Sequence, residues 1–164
     1  MTTATGNIEL RDFVDSDADP LFEWMRDPES VRMAAFTTAD PNDREGFDRW
    51  LSRNRKNPDV IMRSIWVSGQ IVGSIYTFTI EGDREVSYWL DRAVWGRGIA
   101  SRALVAMLEL DATRPLMARA ASANLGSAAV LLRAGFVEVG RNVDFAAGVG
   151  EEVEETIFRL GGAT

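Results

Sequence analysis

Apolar and polar residues alternate over residues 7–13, Asn-Ile-Glu-Leu-Arg-Asp-Phe, and a period of two reads as a half-buried strand. The period then lengthens. Leu21, Phe22 and Met25 share one helical face, so the pattern predicts a helix from a capping Ser16 to about Arg26, ended by Pro28. A short, weak helix is expected around 29–35, and 37–40 reads as loop. Asp40-Pro41 has the form of a helix start, a capping carboxylate followed by proline at the first helical position. That helix should run to about Arg55, with Phe47, Trp50 and Leu51 inward, until Asn57-Pro58-Asp59 breaks it.

Three consecutive strands follow, 60–67, 71–80 and 84–91, separated by turns at Ser68-Gly69 and Glu81-Gly82-Asp83. They form an antiparallel meander. The pattern changes at Trp95-Gly96-Arg97-Gly98-Ile99-Ala100, where a helix of about 98–111 begins, with Ala103, Leu104, Met107 and Leu108 at helical spacing and Pro115 after its end. A strand 116–122, a helix 125–134 ending at Gly135, a strand-like 136–144, a loop 146–150 and an alternating strand 154–160 complete the chain. The order is β-α-α-β-β-β-α-β-α-β-β. The strand at 84–91, the helix at 98–111 and the strand at 116–122 have the form of a β-α-β unit with a crossover helix. The expected class is α/β (α+β): a mixed, mostly antiparallel, twisted central sheet of about seven strands flanked by about four helices, in a single domain over 1–164.

The length of 164 residues suits one domain, and a 46% apolar fraction supplies its core without a staple. There is no cysteine, which excludes disulfides and thiolate chemistry, and no histidine, which excludes imidazole as base, nucleophile or ligand. Any general base must be a carboxylate, lysine, tyrosine or bound water. No metal is expected. The net charge of −7 speaks against duplex nucleic acid as a partner and favours cationic ones only through a long-range field. Residues 1–6 lack the pattern of a secretory leader, and no apolar run approaches the roughly 20 residues that span a bilayer. A cytoplasmic, non-membrane protein is expected.

The strand, Gly-x-Gly loop and helix around residue 98 carry the chemistry. Glycine removes side chains where a backbone approaches something closely. Gly98, Ile99, Ala100 and Ser101 open a helix, so their N–H groups lack helical partners and, with the helix dipole and Arg97, suit an anion such as a pyrophosphate. A dinucleotide fold would want glycine where Ser101 stands, and a P-loop would want Gly-Lys-Ser/Thr, which is missing. A turn whose glycines only relieve strain remains the simplest alternative for this loop alone.

The segment Trp95–Ala100 resembles the acyl-CoA signature of the Gcn5-related N-acetyltransferases (GNAT), Gln/Arg-x-x-Gly-x-Gly/Ala. Gly98 and Ala100 match it, and Trp95 departs from it. Tryptophan at this place is similar to the branch that acetylates the N-termini of ribosomal proteins (RimJ/RimL-like). There the loop often reads Trp-Gly-Lys-Gly-Tyr-Ala after Gly-Tyr-Trp-Leu, and this chain has Ser87-Tyr88-Trp89-Leu90. A second block, Asn124-Leu125-Gly126-Ser127 followed by Gly135-Phe136, resembles that branch's Asn-x-x-Ser…Gly-Phe.

The resemblance implies an acetyl-CoA-dependent N-acetyltransferase acting on a primary amine by direct attack. It implies that the pyrophosphate lies on Trp95, Gly96, Arg97, Gly98, Ile99, Ala100 and Ser101, that the backbone of Trp89 and Leu90 bonds the pantetheine arm, and that Asn124 touches it. Asn124 is equally a natural helix cap. Ser127 matches a serine proposed to hydrogen-bond or protonate the leaving thiolate. Other branches carry a tyrosine acid at the place of Leu132, which cannot act so. Glu85 is the candidate base, directly or through water, and shares a strand face with Ser87 and Trp89, while Val86 and Tyr88 face the other way. A solvated strand carboxylate is the alternative for Glu85. The acceptor side is expected among the helices 16–26 and 29–35, the 36–40 loop and the last hairpin. Met33, Phe36, Trp50 and Phe145 are candidates to line it or to pack the core, and Glu151, Glu152, Glu154 and Glu155 to attract a cation or form a solvated edge. Transfer of another acyl group such as succinyl, a non-catalytic acyl-CoA-binding module, and a homodimer stay open.

Overall fold

The computed structural model describes residues 7–162. The reading of residues 1–6 lies outside them. The chain runs β1 (Ile8–Asp12), α1 (Ala18–Met25), α2 (Pro28–Ala34), α3 (Arg44–Lys56), β2 (Ile61–Val67), β3 (Gln70–Ile80), β4 (Asp83–Leu90), α4 (Ile99–Leu110), β5 (Leu116–Ala121), α5 (Leu125–Arg133), β6 (Val137–Ala146) and β7 (Glu151–Leu160). The strands make one sheet in the order β1-β2-β3-β4-β5-β7-β6. All neighbours are antiparallel except β4 and β5, the pair joined by the α4 crossover.

The alternation in β4 sorts the two faces of the sheet. Val86 and Leu90 face a core with Ile65, Ile75, Leu104, Met107, Leu131, Phe136 and Phe158, which α4 and α5 cover. Trp89 faces the other way, into a second core of Phe13, Leu21, Leu51 and Met62 with Phe47, Trp50 and Tyr76, which α1 and α3 cover. Burial of apolar side chains on both faces, at roughly 25 cal/mol per Å², is the main drive for this arrangement.

Helix starts depart from the sequence expectation where capping side chains compete. Ser16 does not cap the first helix. Asp17 is buried there instead, its carboxylate accepting the Val14 N–H at 3.0 Å, and a 3-10 turn leads into α1. Pro28 opens α2 behind the Asp27 cap, which accepts the Ser30 N–H at 3.0 Å. Asp40-Pro41 does not start α3; Asp40 accepts the Asn42 N–H in a turn, and Asp43 caps the helix through the Gly46 N–H. Among the described residues the sheet has the seven strands expected, and five α-helices accompany it where about four were expected. The end of α5 follows expectation: Phe136 N–H reaches Leu131 C=O at 3.1 Å and Gly135 N–H reaches Leu132 C=O at 3.1 Å, with Gly135 at φ +101°.

Candidate functional site

The parallel ladder between β4 and β5 is short. Only Arg84 with Leu116 and Glu85 with Met117 are paired. Beyond them residues 86–90 keep β3 on one side and have no strand on the other, while β5 continues against β7 to Ala121. A wedge therefore opens between the two strands, with its apex at Glu85. Both strands lead out of its wide end into helices, β4 into α4 and β5 into α5. The carboxyl ends of parallel strands, where helix N-termini gather, are the usual place for a ligand in such a sheet.

At that wide end Gly96 has φ +78° and Gly98 φ +75°, the latter as the left-handed residue before α4. A Cβ on either would meet nothing within 4 Å. The glycines are thus required by the backbone torsion, and not by crowding within the chain, which refines the expectation of close approach. The first helical bond of α4 runs from Arg102 N–H to Gly98 C=O, so Ile99, Ala100 and Ser101 present N–H groups without helical acceptors. Arg97 is exposed beside them and Trp95 is 39% exposed, whereas Ile99 is buried under the helix. The approach to this loop is pinned: Asp91 accepts the Ala93 N–H at 3.0 Å, and Arg92 pairs with Asp27 at 2.9 Å.

The side chains of Trp89 and Leu90 are committed to the two cores, so what either offers a ligand is backbone. Asp91 N–H donates to Val72 C=O and the Trp89 carbonyl lies against Gly73, so the Trp89 backbone faces β3, contrary to the expectation for it, and of the two only the Leu90 backbone turns to the unpaired edge. The indole Nε1 of Trp89 is buried without a hydrogen-bond partner. Across the wedge, Asn124 caps α5, its Oδ1 accepting the Ser127 N–H at 3.2 Å. The Ser127 hydroxyl lies 2.9 Å from the Tyr88 hydroxyl. Burial pushes the Tyr88 phenol above its ordinary pKa, against the hydrogen bond with Ser127, which lowers it.

Glu85 is not a solvated carboxylate. It is 8% exposed, and its Oε1 accepts Arg119 Nε at 2.9 Å. The same guanidinium donates through Nη1 to Glu155 at 3.0 Å. Burial disfavours the charge on Arg119, but the bonds to Glu155 and Glu85 outweigh it and hold the group above its ordinary pKa. The row therefore joins β4, β5 and β7 across the apex of the wedge. Tyr76, stacked on Phe78 at 5.3 Å, lies opposite Ser87 on the same face.

A family model of the acetyltransferase (GNAT) domain matches residues 7–137. The chain belongs to the GNAT family. Solved structures agree in fold. RimJ of Mycobacterium smegmatis in complex with CoA-disulfide superposes with a TM-score of 0.79 at 20% identity, over 97% of this chain and 84% of that one. The spermidine N-acetyltransferase of Vibrio cholerae, in complex with CoA and spermine, gives 0.77 at 15% identity, over 93% of this chain and 94% of that one. The microcin C7 self-immunity acetyltransferase MccE, in complex with acetyl-CoA and AMP, gives 0.73 at 17%, over 96% and 98%. A comparison with curated protein sequences gives no match.

On the α1–α2 side of this GNAT domain lies a cavity of about 620 Å³, lined by Glu23, Arg26, Asp27, Val31, Asn42 and Val149 among others. No residue of the wedge lines it. Its far wall depends on Gly148, whose N–H donates to Ala35 C=O at 3.1 Å; a Cβ at Gly148 would lie within van der Waals overlap of Thr37. Of the expected lining residues, Trp50 packs in the α1–α3 core and Phe36 against Ala35, Ala121 and Ala146, while Phe145 is 60% exposed on the edge strand β6. None of the three, nor Met33, lines the cavity. The acidic edge is also divided: Glu155 is buried against Arg119, Glu154 pairs with Arg141 at 2.9 Å, and Glu151 and Glu152 are exposed. Among the described residues no cluster of three metal-ligating side chains occurs, and no helix is long and apolar enough to cross a membrane.

Sequence reasoning missed Arg119 and Tyr88. The signal for Arg119 was present, as the single charge in Leu-Met-Ala-Arg-Ala-Ala of β5. Tyr88 gave none, since its partner lies 39 residues away.

Proposed function

We propose that this GNAT domain, a single unit over residues 1–164, transfers the acetyl group of acetyl-CoA to a primary amine. The observation that carries the proposal is the wedge at residues 86–90 with the 95–101 loop at its wide end. An extended pantetheine arm can lie in the wedge as an added strand on the outward backbone of Leu90, its pyrophosphate on the N–H groups of Gly98, Ile99, Ala100 and Ser101 beside Arg97, with Trp95 and Gly96 shaping the approach and Asn124 at the opposite wall.

The amine must be uncharged to attack. Its nitrogen adds to the thioester carbonyl carbon, the C–S bond breaks, and the electron pair leaves with sulfur. The proton lost from nitrogen goes to Glu85 or to a water it holds. Because Oε1 of Glu85 is occupied by Arg119, the water route is favoured. Ser127, across the wedge from β4, is assigned to hydrogen-bond the leaving sulfur. The acceptor side is assigned to α1 and α2, where a cavity of about 620 Å³ has room for a protein N-terminus or a small amine. The test is Glu85→Gln assayed for thiol release with CoA binding measured in parallel: turnover falls and CoA affinity stays. Equal turnover would remove Glu85 from the reaction.

A further inference from the structure

Tyr88 lies in the stretch of β4 that has no β5 partner, and Ser127 stands in the first turn of α5 at the end of β5. Their hydroxyls meet at 2.9 Å. This bond spans the wedge in which the acyl donor is placed, so the inference rests on the function proposed above. Ser127 is held twice. Asn124 fixes its N–H, and Tyr88 fixes its hydroxyl. We infer that Tyr88 is a positioning residue, whose phenol donates to Ser127 Oγ and thereby turns the Ser127 proton toward the sulfur of CoA.

A serine hydroxyl has one proton and two acceptor lone pairs. When Tyr88 donates into one lone pair, the serine proton is released from that contact and free to point elsewhere. The reverse orientation would spend the serine proton on Tyr88. Burial favours the protonated phenol, so Tyr88 keeps the proton it donates. In the transfer step the sulfur takes the C–S electron pair, and Ser127 donates a hydrogen bond to that thiolate while keeping its own proton. The thiolate later takes a proton from water. Hydrogen bonds linked in this way strengthen each other away from bulk water.

The experiment titrates the thiol of bound CoA by its thiolate absorbance, against the same protein holding desulfo-CoA, which has hydrogen in place of the thiol. It needs no acceptor and no turnover. The wild type should show a thiol midpoint below that of free CoA. Tyr88→Phe should raise it by about one unit, a tenfold loss of thiolate preference, the size of one charge-assisted hydrogen bond. Ser127→Ala should raise it at least as far, the double variant no further, and Ser127→Thr should restore it. CoA affinity through the 95–101 loop reports that each variant is folded. A Tyr88→Phe midpoint equal to that of the wild type would reduce Tyr88 to a packing residue and overturn the inference. Acceptor-dependent thiol release can fail while the midpoint shift stands, which would sink the proposed reaction alone; a wild type that binds no CoA overturns both.

Discussion

Arg119 Nε lies 2.9 Å from Oε1 of Glu85, joining β5, two residues past its last pairing with β4, to the last paired residue of β4. With Glu155 as its second partner, Arg119 acts as a clasp at the apex of the wedge. Arg119→Ala leaves two buried carboxylates without their donor. We expect a loss of about 1–3 kcal/mol, the worth of hydrogen bonds to charged groups, read as a lower urea midpoint. Turnover should fall as well, because Glu85 is no longer held in place. Glu85→Gln should cost at least about 100-fold in kcat, the usual contribution of a general base, with CoA affinity retained in calorimetry.

Gly98 needs φ +75°, which costs a residue with a side chain about 1–2 kcal/mol. Gly98→Ala meets no steric obstacle but prefers another backbone. The N–H groups of Ile99, Ala100 and Ser101 would then lose their common direction. CoA affinity measured by calorimetry should fall by roughly tenfold, in proportion to that strain.

Gly73 of β3 pairs with Leu90, on the edge of β4 that faces away from the wedge. A Cβ there would lie 2.5 Å from the Trp89 carbonyl oxygen and 2.6 Å from Leu90 Cδ2. Gly73→Ala must push the Trp89-Leu90 backbone into the wedge. Overpacking of this kind costs about 1–3 kcal/mol. The variant should therefore lose both stability and CoA affinity, whereas Gly69→Ala, in an open turn, should lose only stability.

Arg84 and Asp111 anchor the start of β4 to the end of α4 at 2.8 Å, with side chains 10% and 4% exposed. Burial works against the Asp111 charge, but the Arg84 hydrogen bond and those of Thr113 outweigh it and hold the carboxyl well below its usual range. A folded pKa below the unfolded one, about 3.9, stabilises the fold at pH above that value, and the contribution is lost as pH falls through the folded pKa. Asp111→Asn should cost about 3–5 kcal/mol at neutral pH, as expected for breaking a buried pair. The gap to wild type in urea unfolding should shrink as pH is taken below about 4.

The meander, the crossover helix and the 95–101 loop were legible because each is a local pattern: alternation, a turn, a helical period. Helix starts were less so, since Ser16, Asp17, Asp40 and Asp43 are all competent caps and packing selects among them. Asn124 was read both as a cofactor contact and as a helix cap, and the cap is present. The fate of Glu85 was not legible. Its partner Arg119 lies 34 residues onward and Glu155, which shares that guanidinium, 70, and only the order β4-β5-β7 brings them together. The same holds for Tyr88 and Ser127, on a strand and a helix from separate motifs.

Acetyl transfer by this protein is read from free-thiol release from acetyl-CoA, with purified protein and a panel of primary amines and N-terminal peptides, beside calorimetry of CoA binding. CoA should bind and Gly98→Ala should weaken that binding, and thiol release should appear only when an acceptor is present. Absence of CoA binding by the wild type would contradict the reading of the wedge and its loop, and the proposed reaction with it.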